Sequence, residues 1–255
     1  VPTGGENHAL GNLLPEALSD RSEGWEIASL GLMLSECKVS ARNCKDIFRR
    51  LRLRTEGPDA SSHYGMVTSL HLSAADLGRD GLQGLTDLLN SETCGLTSLD
   101  LSYTQFDGYT LVQSLRSNTS LTSLDVRFVP GMDKLYETLS DVLLQSGGKC
   151  RVGCLRCDAF DLLEGARELS FKEKLLDPAE MRLLLGLLMH NKYVRELDLT
   201  ATDMDRSGAT TLADVLVNNA RLKSVRLSYN PGIDHESKGA LRAVAEQRED
   251  LTLEL

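Results

Sequence analysis

Apolar residues keep time in the second half of this chain: the doublets Leu169/Phe171, Leu197/Leu199, Val225/Leu227 and Leu253/Leu255 follow one another at 28-residue intervals. A fixed period of this length constrains the fold more than any single residue, because it marks stacked units rather than one closed core. The doublet runs backwards with looser timing through Leu32/Leu34, Leu70/Leu72, Leu99/Leu101, Leu124/Val126 and Leu155/Cys157. The intervals there are 38, 29, 25 and 31, then only 14 to Leu169. Units open as apolar-x-x-apolar-x-apolar, for example Leu96-Thr-Ser-Leu99-Asp-Leu101 and Val194-Arg-Glu-Leu197-Asp-Leu199. Alternation at the last two apolar positions predicts a half-buried strand.

About five residues further on another large apolar side chain follows: Val39, Leu77, Phe106, Leu176, Met204, and Ile233 one place late. Helical spacing comes next. Leu212, Val215 and Leu216 share one face, and residues 110–115 and 135–139 have the same character. Asp177-Pro178 supplies an N-cap and a first-turn proline ahead of Met181, Leu184, Leu185 and Leu188. A strand, a turn and a helix in about 28 residues cannot bury their own apolar face, so neighbouring units must stack.

These units resemble leucine-rich repeats of the ribonuclease-inhibitor type, the long intracellular subclass, over roughly residues 28–255. The resemblance implies an α/β leucine-rich repeat solenoid, a horseshoe with a parallel β-sheet on the concave face and helices on the convex face. It also departs in places. The asparagine expected at the turn appears only as Asn230, and Cys37, Ala75, Thr104, Lys174 and Thr202 replace it elsewhere. A second resemblance, to dinoflagellate algal leucine-rich repeat proteins of unassigned function, rests on Val152-Gly-Cys-Leu-Arg-Cys-Asp-Ala-Phe160. The organisation expected is an N-terminal arm or cap over 1–24, then one repeat domain over 25–255 with about eight repeats and a terminal strand.

With a net charge of −9 and 25% charged residues, the composition suits a soluble intracellular protein, cytoplasmic or in an organelle interior. It argues against general nucleic-acid binding, which needs clustered bases. The longest apolar stretch, 183–189, is far short of a bilayer span, so any membrane attachment would be peripheral, through a larger complex. The chain opens at Val1 rather than Met, so processing or a longer product is expected. It ends on a strand at Leu255, which calls for a partner over that edge or further chain. Cys150, Cys154 and Cys157 have spacings like part of a zinc site, but the strand register points Cys154 and Cys157 to opposite faces, which favours plain thiols and no cofactor. Asn118-Thr-Ser120 is a formal glycosylation sequon read here as a helix stop.

Candidate partner-binding residues project from between the two inward positions of each strand: His71, Asp100, Asp125, Arg156, Asp198 and Arg226, with Arg127 at the next outward place. A mixed row of Asp and Arg can match a polar protein surface. Leu-Asp-Leu-Ser is also the commonest form of the motif, so these aspartates have an equally good repeat-building explanation. The row itself carries no exposed aromatic anchor. Two irregular features add candidates. The 14-residue interval after Leu155 has no room for a full helix, leaves the convex wall locally open, and puts Phe160, Leu162 and Leu163 in the gap or under a partner. The first unit carries a long polar loop over 52–64 and a basic cluster, Arg42, Lys45, Arg49, Arg50, Arg52 and Arg54, which suits an acidic protein, a lipid headgroup or RNA, or is a solvated face.

No P-loop, G-x-G-x-x-G, H-E-x-x-H or G-x-S-x-G is present, and the five histidines are scattered. The expectation is therefore a protein without catalytic, cofactor or metal residues: a protein-protein interaction scaffold or adaptor, or a peripheral subunit of a larger complex. The alternatives are a regulator of an enzyme or GTPase, of inhibitor or activating-protein type, and a binder of RNA or an anionic surface through the first repeat.

Overall fold

The computed structural model describes residues 30–33, 48, 67–92, 94–105, 107–145 and 148–255. The arm over 1–24, the loop over 52–64 and the basic cluster of Arg42, Lys45, Arg49, Arg50, Arg52 and Arg54 lie outside them. The chain forms two compact units, Val1–Pro130 and Gly131–Leu255.

In the first unit four strands pair in parallel and in chain order: β1 (Leu30–Met33), β2 (Val67–His71), β3 (Ser98–Asp100) and β4 (Ser123–Asp125). The doublet sets the register, with Leu32, Leu70, Leu99 and Leu124 side by side. Leu70, Leu72, Leu99, Leu101, Leu124 and Val126 are all buried. Between strands run α1 (Gly78–Leu89), which turns Leu85, Leu88 and Leu89 inward, and α2 (Gly108–Leu115), whose first turn is capped by the Asp107 carboxylate accepting from the Tyr109 N–H.

The second unit opens with a 3₁₀ turn (Asp133–Leu135) leading into α3 (Tyr136–Leu144), then β5 (Cys154–Arg156), β6 (Asp161–Leu162) and β7 (Glu168–Ser170). The clean repeats follow: α4 (Pro178–His190), β8 (Glu196–Asp198), α5 (Arg206–Asn218), β9 (Ser224–Arg226), α6 (His235–Gln247) and β10 (Thr252–Glu254). β7 to β10 form a parallel sheet in which Leu169, Leu197, Val225 and Leu253 align. Asp177 and Glu180 close a reciprocal capping box on α4, with Pro178 in the first turn, and Asp205 and Asp234 cap α5 and α6. The follow-on residues Leu77, Leu176, Met204 and Ile233 are all core.

The short interval after Leu155 holds a hairpin instead of a helix. β6 turns back antiparallel on β5, pairing Leu155 with Leu162 and Arg156 with Asp161. Phe160 and Leu162 enter the core, and Phe160 meets Phe171 edge-on at 5.6 Å; Leu163 is exposed. The helical side is not left open there as the spacing suggested, because α3 packs directly on α4. Gly186 permits this: a Cβ built there would lie 3.0 Å from the Leu143 Cβ. His190 Nε2 meets the Leu143 carbonyl at 2.9 Å, and Arg182 pairs with Asp141 at 2.8 Å. Gly153 is tighter still, with no room for a Cβ against the backbone of His190 and Asn191.

Two polar ladders tie repeats together. Asn118, Asn191 and Asn219 are buried just beyond helices, and each amide donates to a carbonyl of the preceding repeat: Leu89, Gly153 and Leu188. Their side-chain oxygens accept backbone N–H groups of Leu121, Val194 and Arg221. Asn118 is thus a buried helix stop rather than an open glycan acceptor. The second ladder is shorter. Asn230 reaches back to the Leu199 carbonyl and the Thr202 and Met204 N–H groups, whereas the Thr104 hydroxyl donates to Leu101 of its own turn and the Thr202 hydroxyl to Leu199 of its own turn and forward to the Asn230 side-chain oxygen. Threonine replaces asparagine there at the cost of the bond back to the preceding repeat.

Candidate interaction surface

Six strands, β2, β3, β4, β7, β8 and β9, each run into a left-handed residue. Ala74, Tyr103, Phe128, Glu173, Ala201 and Tyr229 all have φ between 54° and 61°, and none is glycine. The conformation is sterically costly for an L-residue and persists because the neighbouring repeat holds it. The N–H groups of Ala74, Tyr103, Glu173 and Ala201 donate to Ser102, Arg127, Thr200 and Ser228 of the next repeat at 2.9–3.0 Å. The strand pairing therefore continues into the turn and aims each left-handed side chain outward.

In the first unit Asp100 accepts from the Ser102 N–H at 2.9 Å and the Ser102 hydroxyl at 2.7 Å, with His71 Nδ1 3.7 Å from its other oxygen. Asp125 takes the Arg127 N–H and a two-pronged guanidinium contact, closest at 2.7 Å, and is nearly buried. In the second unit Asp198 accepts from the Thr200 N–H at 3.0 Å. Burial alone would raise the Asp198 carboxyl, but bonds from Thr200 and the charges of Arg226 and Lys172 hold it below its usual range. The three aspartates share one local task, satisfying the N–H two residues on as the strand ends. This is the repeat-building role that the motif itself suggested.

Arg226 lies 3.7 Å from Asp198 and 3.9 Å from Glu254, a cross-strand charge row, and Arg156 lies 3.6 Å from Asp161 across the hairpin. His71, Asp100, Asp125 and Arg127 gather in the first unit, and Asp198 and Arg226 in the second. Phe160, named with them on sequence grounds, is core. Missed from sequence were the aromatics at the left-handed turns. Tyr103 and Phe128 are each 54% exposed and stack with ring centroids 4.4 Å apart at 21°, and Tyr229 is 84% exposed. The signal was there: Leu101-Ser-Tyr103, Val126-Arg-Phe128 and Leu227-Ser-Tyr229 place each ring two residues past the last inward position.

Cys150, Cys154 and Cys157 are buried free thiols. Burial, with Glu164 adding to it, pushes the Cys154 thiol up to about 11, and burial raises Cys150 and Cys157 as well. Thiols held in the protonated form are poor ligands and poor nucleophiles. Among the described residues no three His, Cys, Asp or Glu side chains converge as a metal site would require, and no helix is long and apolar enough to cross a membrane.

Parallel strands, left-handed turns and returning helices, at 28-residue intervals from β7 to β10, are consistent with a leucine-rich-repeat type of fold, and distant homology supports the same class. Over 222 residues, 79% of the chain, it is 27% identical to ribonuclease inhibitor of Mus musculus, covering 46% of that protein. Over 229 residues, 87% of the chain, it is 26% identical to NACHT, LRR and PYD domains-containing protein 3 of Rattus norvegicus, covering 19% of it. The chain thus spans less than half the length of these curated relatives. No protein-family model matches it.

Proposed function

We propose that this chain is a non-enzymatic protein-protein interaction module, a scaffold or adaptor that serves as a peripheral subunit of a larger complex. The observation that supports this most is the outward strand face, which ends in ordered, solvent-exposed aromatic side chains. A side chain such as Tyr103, held in a costly backbone conformation yet left in water, serves recognition better than packing. Kinship with leucine-rich repeat proteins fits the same reading.

A second reading has one observation in its favour. A relative is named for inhibiting a ribonuclease, so the chain would regulate an enzyme by covering it. Cross-linking mass spectrometry of the native source tests both. The module reading expects stoichiometric protein partners cross-linked to the strand face, and the regulator reading expects an enzyme whose turnover falls when the chain is added. A chain that elutes alone from unfractionated extract, with no cross-linked partner, would sink both.

A further inference from the structure

Two aromatic rings at the rim of the first unit stay in contact with water. Tyr103 and Phe128 come from different repeats, yet their faces lie 4.4 Å apart and each keeps about half its surface in water. The Tyr103 N–H is fixed to the Arg127 carbonyl at 3.0 Å, so the pair is pre-ordered and loses little freedom on binding. Residues 95–115 on either side of Tyr103 carry Asp100 and Asp107 and no Lys or Arg, and beside Phe128 the Arg127 guanidinium is engaged by Asp125 at 2.7 Å. Asp100 ends the strand that leads to Tyr103, and Asp107 stands exposed at the cap of the helix that follows.

An exposed ring face in an acidic field attracts a cation, and a flat, weakly hydrated guanidinium stacks on it better than a compact ammonium. We propose that Tyr103 and Phe128 form a docking point for an arginine side chain presented by a basic, extended segment of a partner protein. Asp100 and Asp107 supply the attracting charge. The proposal deepens the interaction-module reading and rests on it. A nucleic-acid occupant is disfavoured by the acidic surroundings.

The test is an NMR titration of the full chain with the blocked peptide Ac-Gly-Ser-Arg-Gly-Arg-Ser-NH2 and with versions carrying lysine or neutral citrulline in place of arginine. Saturable shifts centred on the Tyr103 and Phe128 rings are expected, with lysine several-fold weaker and citrulline about tenfold weaker. Tyr103→Ser/Phe128→Ser should lose about tenfold in affinity with an unchanged circular dichroism spectrum, since both rings are exposed. Asp80→Asn/Asp87→Asn, on the exposed side of α1, should change it less than about twofold. Absence of saturable binding, equal binding of the citrulline peptide, or equal losses in the ring and α1 variants would each overturn the proposal. Native partners that still cross-link to the ring variant would also overturn it, while leaving the interaction-module reading intact.

Discussion

Arg248 repeats with a guanidinium the bonds that Asn219 makes with an amide. Asn219 donates to the Leu188 and Asn191 carbonyls, and Arg248 donates to those of Leu216 and Asn219, one repeat later, at 2.8 and 2.9 Å. Its second nitrogen reaches the Leu222 carbonyl at 2.7 Å. The longer side chain carries the ladder on into the repeat of α6 and β10.

Arg248→Ala should therefore lower stability by about 2–3 kcal/mol, the cost of stranding carbonyls that a charged donor satisfied. Asn219→Ala should cost a similar amount. Arg248→Lys should recover only part of the loss, because one ammonium cannot serve three carbonyls in a fork. Urea unfolding midpoints check this, and an Arg248→Ala midpoint equal to wild type would remove Arg248 from the ladder.

Glycines separate by surroundings. Gly153→Ala drives a methyl into the His190 backbone, with nothing flexible to yield, and should cost about 3 kcal/mol or more. Gly186→Ala meets the Leu143 side chain at 3.0 Å and should cost about 1–2 kcal/mol by prising α3 from α4. Gly239 sits in α6 with open space around it, so Gly239→Ala should stabilise by about 0.5–1 kcal/mol. Thermal unfolding of the three variants should rank them in that order.

Burial holds the His190 imidazole below its ordinary value, opposed by its bond to the Leu143 carbonyl and reinforced by the charge of Arg151. The unfolded chain thus binds the proton more readily than the folded one. Stability from this group is fully present above the unfolded value of about 6.5 and is lost as pH falls from there toward the folded value. His190→Gln keeps a donor for Leu143 but does not titrate, so its pH profile should be flatter below about pH 6.5. Parallel profiles for the two proteins would contradict this assignment.

Thiol accessibility makes a fourth contrast. Among the described cysteines, Cys94 is partly exposed, while Cys150, Cys154 and Cys157 are buried with raised thiols. Brief iodoacetamide treatment at neutral pH should modify Cys94 first, and the other three only once urea unfolds the chain. Peptide mass spectrometry reads the order, and early labelling of Cys154 would contradict the burial described here.

The strand ladder was legible because turning the doublets inward demands a period that hydropathy alone reveals. The α4 N-cap and first-turn proline were legible because Asp177 and Pro178 have few other uses together, whereas the return bond to Glu180 was not read. The reversal at Cys157–Phe160 was not: a short interval excludes a helix without saying that the chain turns back. The left-handed turns were hidden because alanine, tyrosine, phenylalanine and glutamate occupy them, so no glycine marked the place. The ring pair was hidden for a different reason. Tyr103 and Phe128 are 25 residues apart in sequence, and only the stacking of their repeats makes them neighbours. The part Arg248 plays was not legible, because nothing in its type announces an asparagine's role.

The β5–β6 hairpin also sets how the second unit can come apart. The hydrogen-bonded sheet from β10 stops at β7, so a fluctuation that opens those four strands is not passed along the backbone ladder to the hairpin. Coupling across that break runs instead through side chains, Phe160 against Phe171 and Asn191 to the Gly153 carbonyl, and through α3 on α4 by way of Gly186, His190 and the Arg182–Asp141 pair. The hairpin thus acts as a firebreak in the sheet, and cooperativity across it is a property of side-chain and helix packing.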